Sequence, residues 1–414
     1  MTTSATLQPC KVSTRKRRTA GWGLGFGLAS TLAALILAGL TVPFDTPAAH
    51  ADDLDDDTQS FALSTVSRQS ALAMRLEKGQ TANLQSHLEG LRNDACGPLA
   101  VNVSVGQTEA TDSWQALIDD DATTSRSKTL KNSTDDNCAN AGRAWTRGAV
   151  TLARDDPDDS GHGYQRVETN LSAGLDARLA ADLAVGFAIG GSNGSTIVSQ
   201  GRTVGRAALG SVATYVSLHP SKSSFAEAAI GASRIGISDR VDGTTDALSG
   251  SADSSGYGAF ATLSVGRVEH FGDLKLSPYL TAAGQTIRLG PTYERIDGAD
   301  YHLSAQQTSS LSGTIGLKAQ LPLRQLPDWI HLEPKAGVEF GYSLDRRADA
   351  RLTALNGNAS GMAEGSFSAR RTLRLDIGTS VKLFDEVALD LDVESQPIAE
   401  GRPKTLRLSS SWDF

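Results

Sequence analysis

Cysteine, histidine and long apolar runs are all scarce in this chain of 414 residues. Its three cysteines and seven scattered histidines lack the spacing of a zinc site, and no HExxH or GxSxG motif occurs. Beyond residue 51, no apolar run is long enough for a membrane helix. These shortages argue against an enzyme, and we expect no catalytic, cofactor-binding or metal-binding residues.

Basic residues are also fewer than acidic ones, at 39 against 47. Without residues 1–51 the balance becomes 34 against 46, a formal charge of −12. Nucleic-acid binding needs clustered lysine and arginine against phosphates, so we expect no nucleic-acid partner. The apolar fraction is an ordinary 39%, and a membrane β-barrel can have this profile because its apolar residues are hidden in alternation.

The first 51 residues have the order of a secretory signal peptide. Residues 11–18 are rich in lysine and arginine, residues 22–42 are mostly apolar, and Ala49-His50-Ala51 offers a small-residue cleavage pattern. We predict that residues 1–51 are removed, which leaves Asp52 as the first residue of the mature chain. A retained membrane helix and a twin-arginine export signal are the two alternatives for this segment.

Residues 52–140 are predicted to be a short helical and loop region that serves as a passenger or a plug. Leu84, Leu88 and Leu91 share one face of the helical pattern over residues 60–93. Glycine is a poor helix former, so we expect Gly79 to divide this pattern into two helices.

The same region contains the two cysteines that remain after signal removal. Cys10 leaves with the signal peptide, whereas Cys96 and Cys138 stay as an even pair in an oxidising compartment. A disulfide between them is therefore the default prediction, and it would tie down the polar loop that separates them.

From residue 141 to 414 the pattern changes to repeated long strands. Twelve are predicted, over residues 143–153, 164–178, 182–193, 203–219, 223–238, 255–270, 273–288, 301–320, 329–345, 366–383, 386–395 and 404–414. In the third strand, Leu183, Val185, Phe187 and Ile189 alternate with alanine and glycine. This predicts a mainly β fold with a C-terminal transmembrane antiparallel β-barrel of about twelve strands, preceded by the short helical region.

Charged residues on the last strands supply an energetic argument for a water-filled lumen. A lysine or arginine that faces lipid near the midplane costs roughly 2–4 kcal/mol, so the charges must share the inner face. The predicted lumen charges are Arg374, Asp376, Asp390, Asp392 and Arg407. We interpret them as structural filling of a small barrel in which opposite charges pair laterally.

The predicted connections alternate in length, and this favours a membrane barrel over a soluble β-sandwich. Short links follow the second, fourth, sixth and tenth strands, whereas longer polar links follow the first, third, fifth, seventh and ninth. Short turns on one side and long loops on the other are typical of outer-membrane barrels. A sandwich has shorter strands and no reason for this asymmetry.

The final strand has the pattern of a barrel-closing strand. Leu406, Leu408, Trp412 and Phe414 lie on one side, and polar residues lie on the other. This ending resembles the C-terminal signature by which outer-membrane barrels are recognised for assembly. It implies the barrel assembly machinery and periplasmic chaperones as partners.

The whole arrangement resembles the autotransporters, the self-secreting outer-membrane proteins of type V secretion. A stretch resembling Gln-x-x-Asn-apolar…Leu-x-x-Leu-Arg precedes the barrel in many relatives. It occurs here as Gln80, Asn83, Leu84, Leu88, Leu91 and Arg92. The resemblance implies a monomeric barrel in the outer membrane of a Gram-negative cell, in contact with lipid and with its long loops outside. It also implies that the barrel anchors or exports a very short N-terminal passenger while a helix occupies the pore.

Two other functions stay open at the level of sequence. The chain could be a closed structural barrel or small porin whose residues 52–140 form a periplasmic or lumenal plug. Asp156, Asp158, Ser160 and His162 share the first long loop, so a hydrolase or a calcium site at the rim is a third hypothesis.

Overall fold

The structure is a computed structural model that describes fifteen segments of the chain. They are residues 56–93, 142–155, 164–180, 182–198, 203–221, 223–241, 249–296, 298–323, 327, 330–346, 350–355, 360–363, 367–383, 387–398 and 403–412. The predicted cleavage site (Ala49, Ala51, Asp52), both remaining cysteines (Cys96, Cys138), the acidic loop 156–163 and Phe414 lie outside the described residues.

The described residues form one helix and seventeen strands. The helix is α1 (Asp56–Asn93). The first strands are β1 (Gly142–Asp155), β2 (Tyr164–Ala180), β3 (Leu183–Val198), β4 (Thr203–Ser221), β5 (Ser224–Val241), β6 (Gly250–Arg267), β7 (Glu269–Phe271), β8 (Leu274–Leu289) and β9 (Thr292–Ile296). The others are β10 (Ala299–Leu303), β11 (Gln306–Gln320), β12 (Ile330–Arg346), β13 (Ala350–Ala354), β14 (Ser360–Ala363), β15 (Phe367–Leu383), β16 (Val387–Ser395) and β17 (Lys404–Trp412).

Twelve of these strands close into an antiparallel barrel, which confirms the predicted fold class. The wall consists of β1–β6, β8, β11, β12, β15, β16 and β17. The ring closes where β17 pairs with β1, with Leu406 opposite Val150 and Thr405 opposite Thr151. Three residue pairs join the first and last strands along this seam, so the wall has the closed form that a lipid environment requires of β-strands.

Side chains alternate between the two faces of the wall as predicted. In β3, Ala184 and Ala188 are buried at 6% and 3% exposure, whereas Phe187 and Ile189 point outward at 48% and 55%. Outward apolar side chains recur around the whole ring, including Ile377 at 71% exposure. In water this surface would be unfavourable, but acyl chains can cover it.

Two predicted long loops contain strands, and this part of the prediction was wrong. The loop after β8 holds β9 and β10, and the loop after β12 holds β13 and β14. They form a small sheet in which β10 pairs with both β9 and β13, and β9 pairs with the end of β6. The predicted strand 301–320 is accordingly divided into β10 and β11. These segments fold because Ile296, Leu303 and Leu352 bury their apolar side chains against α1.

The predicted long loop after the third strand, residues 194–202, is also shorter than expected. Strand β3 continues to Val198 and β4 begins at Thr203, so about half of the predicted loop 194–202 belongs to β3. A Cβ atom at Gly194 would lie 2.9 Å from Leu76 Cδ2, which shows that this part of β3 packs closely on the helix. Contact with α1 therefore extends the strand beyond the point that local sequence indicates.

Helix α1 is continuous through Gly79, so the predicted division into two helices was wrong. A Cβ atom at Gly79 would overlap the side-chain amide of Asn170 on β2. The missing side chain lets the helix approach the wall, and tertiary contact outweighs the roughly 1 kcal/mol helix penalty of glycine. In the described part of the chain, no helix combines the length and the apolar character needed to cross a membrane.

The helix runs along the lumen from one end of the barrel to the other. We call the end with the turns around residue 182 and residue 223 the short-turn end, and the opposite end the long-loop end. The first turns of α1 pack on β9, β10 and β13 at the long-loop end, and its last turns pack near the start of β1 at the short-turn end. Its 38 residues correspond to about 57 Å, enough to traverse the barrel.

Candidate functional site

The candidate site is the lumen, where α1 lies against one side of the wall. Four basic side chains of the helix each contact a buried carboxylate of the wall. The pairs are Arg68–Asp239 at 2.9 Å, Arg75–Glu168 at 2.9 Å, His87–Asp176 at 3.0 Å and Arg92–Glu227 at 2.6 Å. The four pairs extend from the long-loop end to the short-turn end, so they fix the helix along its whole length.

The pair nearest the short-turn end has the most complete geometry. Arg92 donates from Nε and from Nη2 to the two carboxylate oxygens of Glu227, both at 2.6 Å. The guanidinium also lies over the ring of Phe225, with 3.8 Å between Cζ and the ring centroid. Both side chains of the pair are below a tenth exposed, so each ion depends on the other for compensation of its lost hydration.

An aromatic cluster surrounds the next pair. The His87 ring stacks on Trp145 of β1, with 3.9 Å between centroids and 12° between the planes. Trp145 Nε1 donates to the hydroxyl oxygen of Tyr215 at 2.6 Å, and Tyr215 in turn donates to Asp176. The helix face between these groups carries Leu84, Leu88 and Leu91, which contact alanines of β3 to β5.

Amide groups hold the middle of the helix against β2 and β3. Gln80 Nε2 donates to Gly191 O at 2.7 Å and to Ser192 Oγ at 2.6 Å. Ser172 Oγ donates to Gln80 Oε1 at 2.8 Å, and Asn83 Nδ2 donates to the same serine at 3.0 Å. Gln80 and Asn83, the two amide residues of the Gln-x-x-Asn motif, therefore both bond the helix to the wall.

At the long-loop end, apolar contacts and one buried carboxyl complete the interface. Ala62 and Val66 of α1 pack on Ile296 and Leu303. Burial raises the pKa of Glu294, on β9 above the wall, to about 7, although a hydrogen bond with Thr65 and the charge of Arg68 lower it. Glu294 therefore changes its protonation state near neutral pH.

The opposite side of the lumen is open. A cavity of about 880 Å³ lies beside α1; β8, β11, β12, β15 and β17 supply much of its lining, and the pairs Arg68–Asp239 and Arg75–Glu168 also border it. Lys78 and Glu89 line it from the helix, and Lys318, Glu339, Arg374, Glu394 and Arg407 line it from the wall. Glu89 pairs with Lys318, which is the ion pair that bridges the cavity.

The five predicted lumen charges lie on β15, β16 and β17, and the ion pairs seen among the described residues join four of them to charges outside the predicted set. Arg407 pairs with Glu394 at 2.8 Å, and Arg374 pairs with Glu339 and, at 3.8 Å, with Glu394. Asp390 and Asp392 both contact Lys335, at 3.3 and 3.1 Å. Asp376 lies opposite Gly337, where it fills the space of a side chain.

The predicted closing-strand residues are only partly described. Leu406 points outward at 52% exposure, next to Thr405, which is buried and bonds Thr151 at 3.0 Å. Leu408 and Trp412 lie in β17, but their side chains are not among the described ones.

Sequence reasoning missed the wall carboxylates that bind the helix. These are Asp239, Glu168, Asp176 and Glu227, and none of them belongs to a motif that marks it in the sequence. Alternation would have placed all four on the inner face, yet nothing local identifies their partners. Arg92 and Glu227, for example, are 135 residues apart in the chain.

The model of the autotransporter β-domain matches residues 144–394, more than half of the chain. The chain belongs to the autotransporter β-domain family. It is a translocator barrel, and translocator barrels of this family are outer-membrane transport proteins. No curated protein is similar enough in sequence to count as a match.

Solved autotransporter barrels resemble the chain in structure at low sequence identity. The translocator domain of NalP from Neisseria meningitidis is 12% identical, with a TM-score of 0.50, over 65% of this chain and 87% of that one. The β domain of BrkA from Bordetella is 16% identical, with a TM-score of 0.48, over 65% and 98%. The transport unit of AIDA-I from Escherichia coli is 14% identical, with a TM-score of 0.40, over 69% and 94%. The NalP likeness shows a common fold.

Proposed function

We propose that this autotransporter barrel anchors the chain in the outer membrane, with the long loops outside, and keeps α1 in the lumen as a plug. The four contacts between basic side chains of the helix and buried carboxylates of the wall carry the proposal. Withdrawal of the helix would leave Glu227 without its cation, and breaking a buried pair costs about 3–5 kcal/mol. The plugged state is therefore the resting state.

The direction of α1 supports a short exported segment rather than an exported domain. The helix begins near the predicted mature start, and its first turns lie at the long-loop end. Both Arg92 and Trp145, which flank the segment 94–141, lie at the short-turn end. The proposal accordingly places the residues before α1 outside the cell and the return segment on the periplasmic side.

The proposal includes the predicted partners. The apolar outer face fits outer-membrane lipid, and β17 supplies the strand that the assembly machinery would read after delivery by periplasmic chaperones. The closed ring has no free edge for a second copy, which favours a monomer. Signal cleavage before Asp52 and the Cys96–Cys138 disulfide belong to the same proposal, because both require export.

A topology map on intact cells tests the proposal. Epitope tags at residues 54 and 245 are expected to be accessible from outside, and a tag at residue 110 is expected to be protected until the outer membrane is opened. Accessibility of residue 110 on intact cells would show instead that the segment 94–141 is the exported passenger.

A small porin is the second candidate, and the open cavity on the charged side favours it. Single-channel recording in planar bilayers distinguishes the two. A plug predicts a small conductance for the full chain that rises at least several-fold when residues 56–93 are deleted. Equal conductance with and without the helix would favour a constitutively open porin.

A further inference from the structure

The outer face of the barrel divides into an apolar zone and a basic zone. Toward the short-turn end, outward side chains are apolar, as at Leu175, Leu280 and Ile377. Toward the long-loop end, exposed cations occupy outward positions. They are Arg154, Arg206, Arg234, Arg240, Arg288, Arg371 and Lys404. In the described wall strands, Asp253 is the acidic residue that shares this zone.

Three residues of the basic zone form a row across neighbouring strands. Arg234 of β5 lies directly opposite Tyr257 of β6, and Tyr257 lies directly opposite Arg288 of β8. Paired residues on adjacent strands are about 5 Å apart, so the two arginines flank the tyrosine on one surface. Tyr257 is 66% exposed, and its ring centroid lies 5.9 Å from the guanidinium carbon of Arg234.

The position of this row along the barrel coincides with the expected edge of the hydrocarbon. From Ser224, where β5 begins at the short-turn end, to Arg234 is ten residues. Ten residues span about 33 Å along a strand, or about 25 Å along the axis of a barrel tilted by about 40°. The apolar band of outer-membrane barrels is about 25 Å tall, and aromatic residues mark its borders. Arg234 and Tyr257 therefore lie where acyl chains give way to headgroups.

We propose that the Arg234–Tyr257–Arg288 row binds the phosphate of an anionic lipid headgroup in the leaflet at the long-loop end. Two guanidinium groups can each donate two parallel N–H bonds to phosphate oxygens, and the tyrosine hydroxyl adds a donor. Electrostatics points the same way, because cations outnumber carboxylates in this zone. The inference rests on the barrel's position in a membrane and is independent of whether α1 is a plug.

Native mass spectrometry of the refolded full chain in detergent tests the proposal, with phosphatidic acid as probe and phosphatidylcholine as reference. The wild type is expected to retain phosphatidic acid, and R234Q/R288Q to weaken that binding at least about tenfold. R267Q/R295Q is the matched control. It also removes two exposed cations, but from the short-turn end and the β9–β10 hairpin, where they pair with Glu269 and Asp300.

Several results would overturn the proposal. Equal losses in the two double variants would show general charge attraction, and equal retention of the two lipids by the wild type would show no preference for an anionic headgroup. Competition by millimolar inorganic phosphate would show a free-anion site instead of a lipid site. Heat-dependent gel mobility establishes that each variant is folded. Should the double variant fail to fold, the single variants R234Q and R288Q are each expected to weaken binding about threefold. If neither single variant weakens binding, the inference is wrong.

Discussion

The two halves of the barrel wall line the same lumen with opposite kinds of surface. The helix-bound half, represented by β3, presents Ala184, Gly186, Ala188, Gly190 and Ser192 to the inside. The open half, represented by β12, presents Lys335, Glu339 and Asp345. Small side chains let a helix approach the backbone, whereas long charged ones fill the lumen and hold water.

Charges in the two halves also have different partners. In the helix-bound half, four buried carboxylates pair with α1, and Asp239 and Glu227 have Arg68 and Arg92 of the helix as their cations. In the open half, most charges pair from strand to strand, as Arg374 does with Glu339 and Glu394, so they are satisfied whether or not the helix is present. The comparison indicates that one half binds α1 and the other borders the cavity beside it.

The largest expected effect is the loss of the best-buried pair. Arg92→Ala leaves Glu227, 2% exposed, without its cation, which costs about 3–5 kcal/mol. Amide hydrogen exchange of residues 84–93 is expected to accelerate by a factor of at least about a hundred. The double variant R92A/E227A should recover part of this protection, since neither ion is then left alone. Unchanged protection in R92A would show that the pair does not hold the helix.

A steric change in the helix-bound half is expected to have the next largest effect. Gly79→Leu would drive a side chain into Asn170, which Ser192 holds by a hydrogen bond at 2.6 Å. Overpacking of this kind costs about 1–3 kcal/mol, so conductance in planar bilayers should rise as the helix dissociates. Gly210→Leu is the control, because a Cβ atom there meets no atom within 4 Å. Equal conductance of the two variants would show that the close approach at Gly79 does not hold the helix in the lumen.

A pH effect of about 2 kcal/mol or less is expected at the long-loop end. Burial raises the pKa of Glu294 to about 7, so this carboxyl binds a proton more tightly when α1 covers it than when it is exposed to solvent. Its stabilising contribution is complete below the ordinary carboxyl pKa and is lost as pH rises through about 7. Protection of residues 61–69 in hydrogen exchange, corrected for intrinsic rates, should therefore be lower at pH 8 than at pH 5.5. Glu294→Gln should flatten this difference, and a difference that persists in the variant must come from another group.

The smallest effect on stability is expected in the open half. Lys335→Met removes a cation that Asp390 and Asp392 both contact, and because the three side chains are about a fifth to a quarter exposed, the cost is about 1 kcal/mol or less. The lumen then carries one positive charge fewer, so the pore should become more cation-selective, measured as a shift of the reversal potential in a salt gradient. Lys404→Met, on the outer face, should leave selectivity unchanged. A large loss of barrel stability in K335M would contradict the distinction between the two halves.

Periodicity predicted the wall well because a strand's two faces meet different solvents. Leu389, Leu391 and Val393 alternate with acidic residues, and the structure exposes all three outward. The loops after β8 and β12 could not be predicted in this way. Their short strands form because Ile296, Leu303 and Leu352 find an apolar surface on α1, and that surface is distant in sequence.

The continuity of helix α1 also could not be predicted from local sequence. Glycine in a helical pattern normally indicates a break, and only the wall residue Asn170 explains why α1 continues through Gly79. For the predicted lumen charges, alternation indicated that they share one face. It could not indicate that their partners would be Lys335, Glu339 and Glu394, because registry between strands depends on how the ring closes.

By itself, the sequence determined the class of the protein. Alternation over long strands specifies a wall with one apolar face and one polar face, and in lipid the strands of such a wall must close into a ring. Tertiary structure alone decided which side of that ring receives the helix. Each contact that docks α1, from Arg68 to Arg92, joins residues far apart in the chain, so its energy exists only once the strands have closed around it.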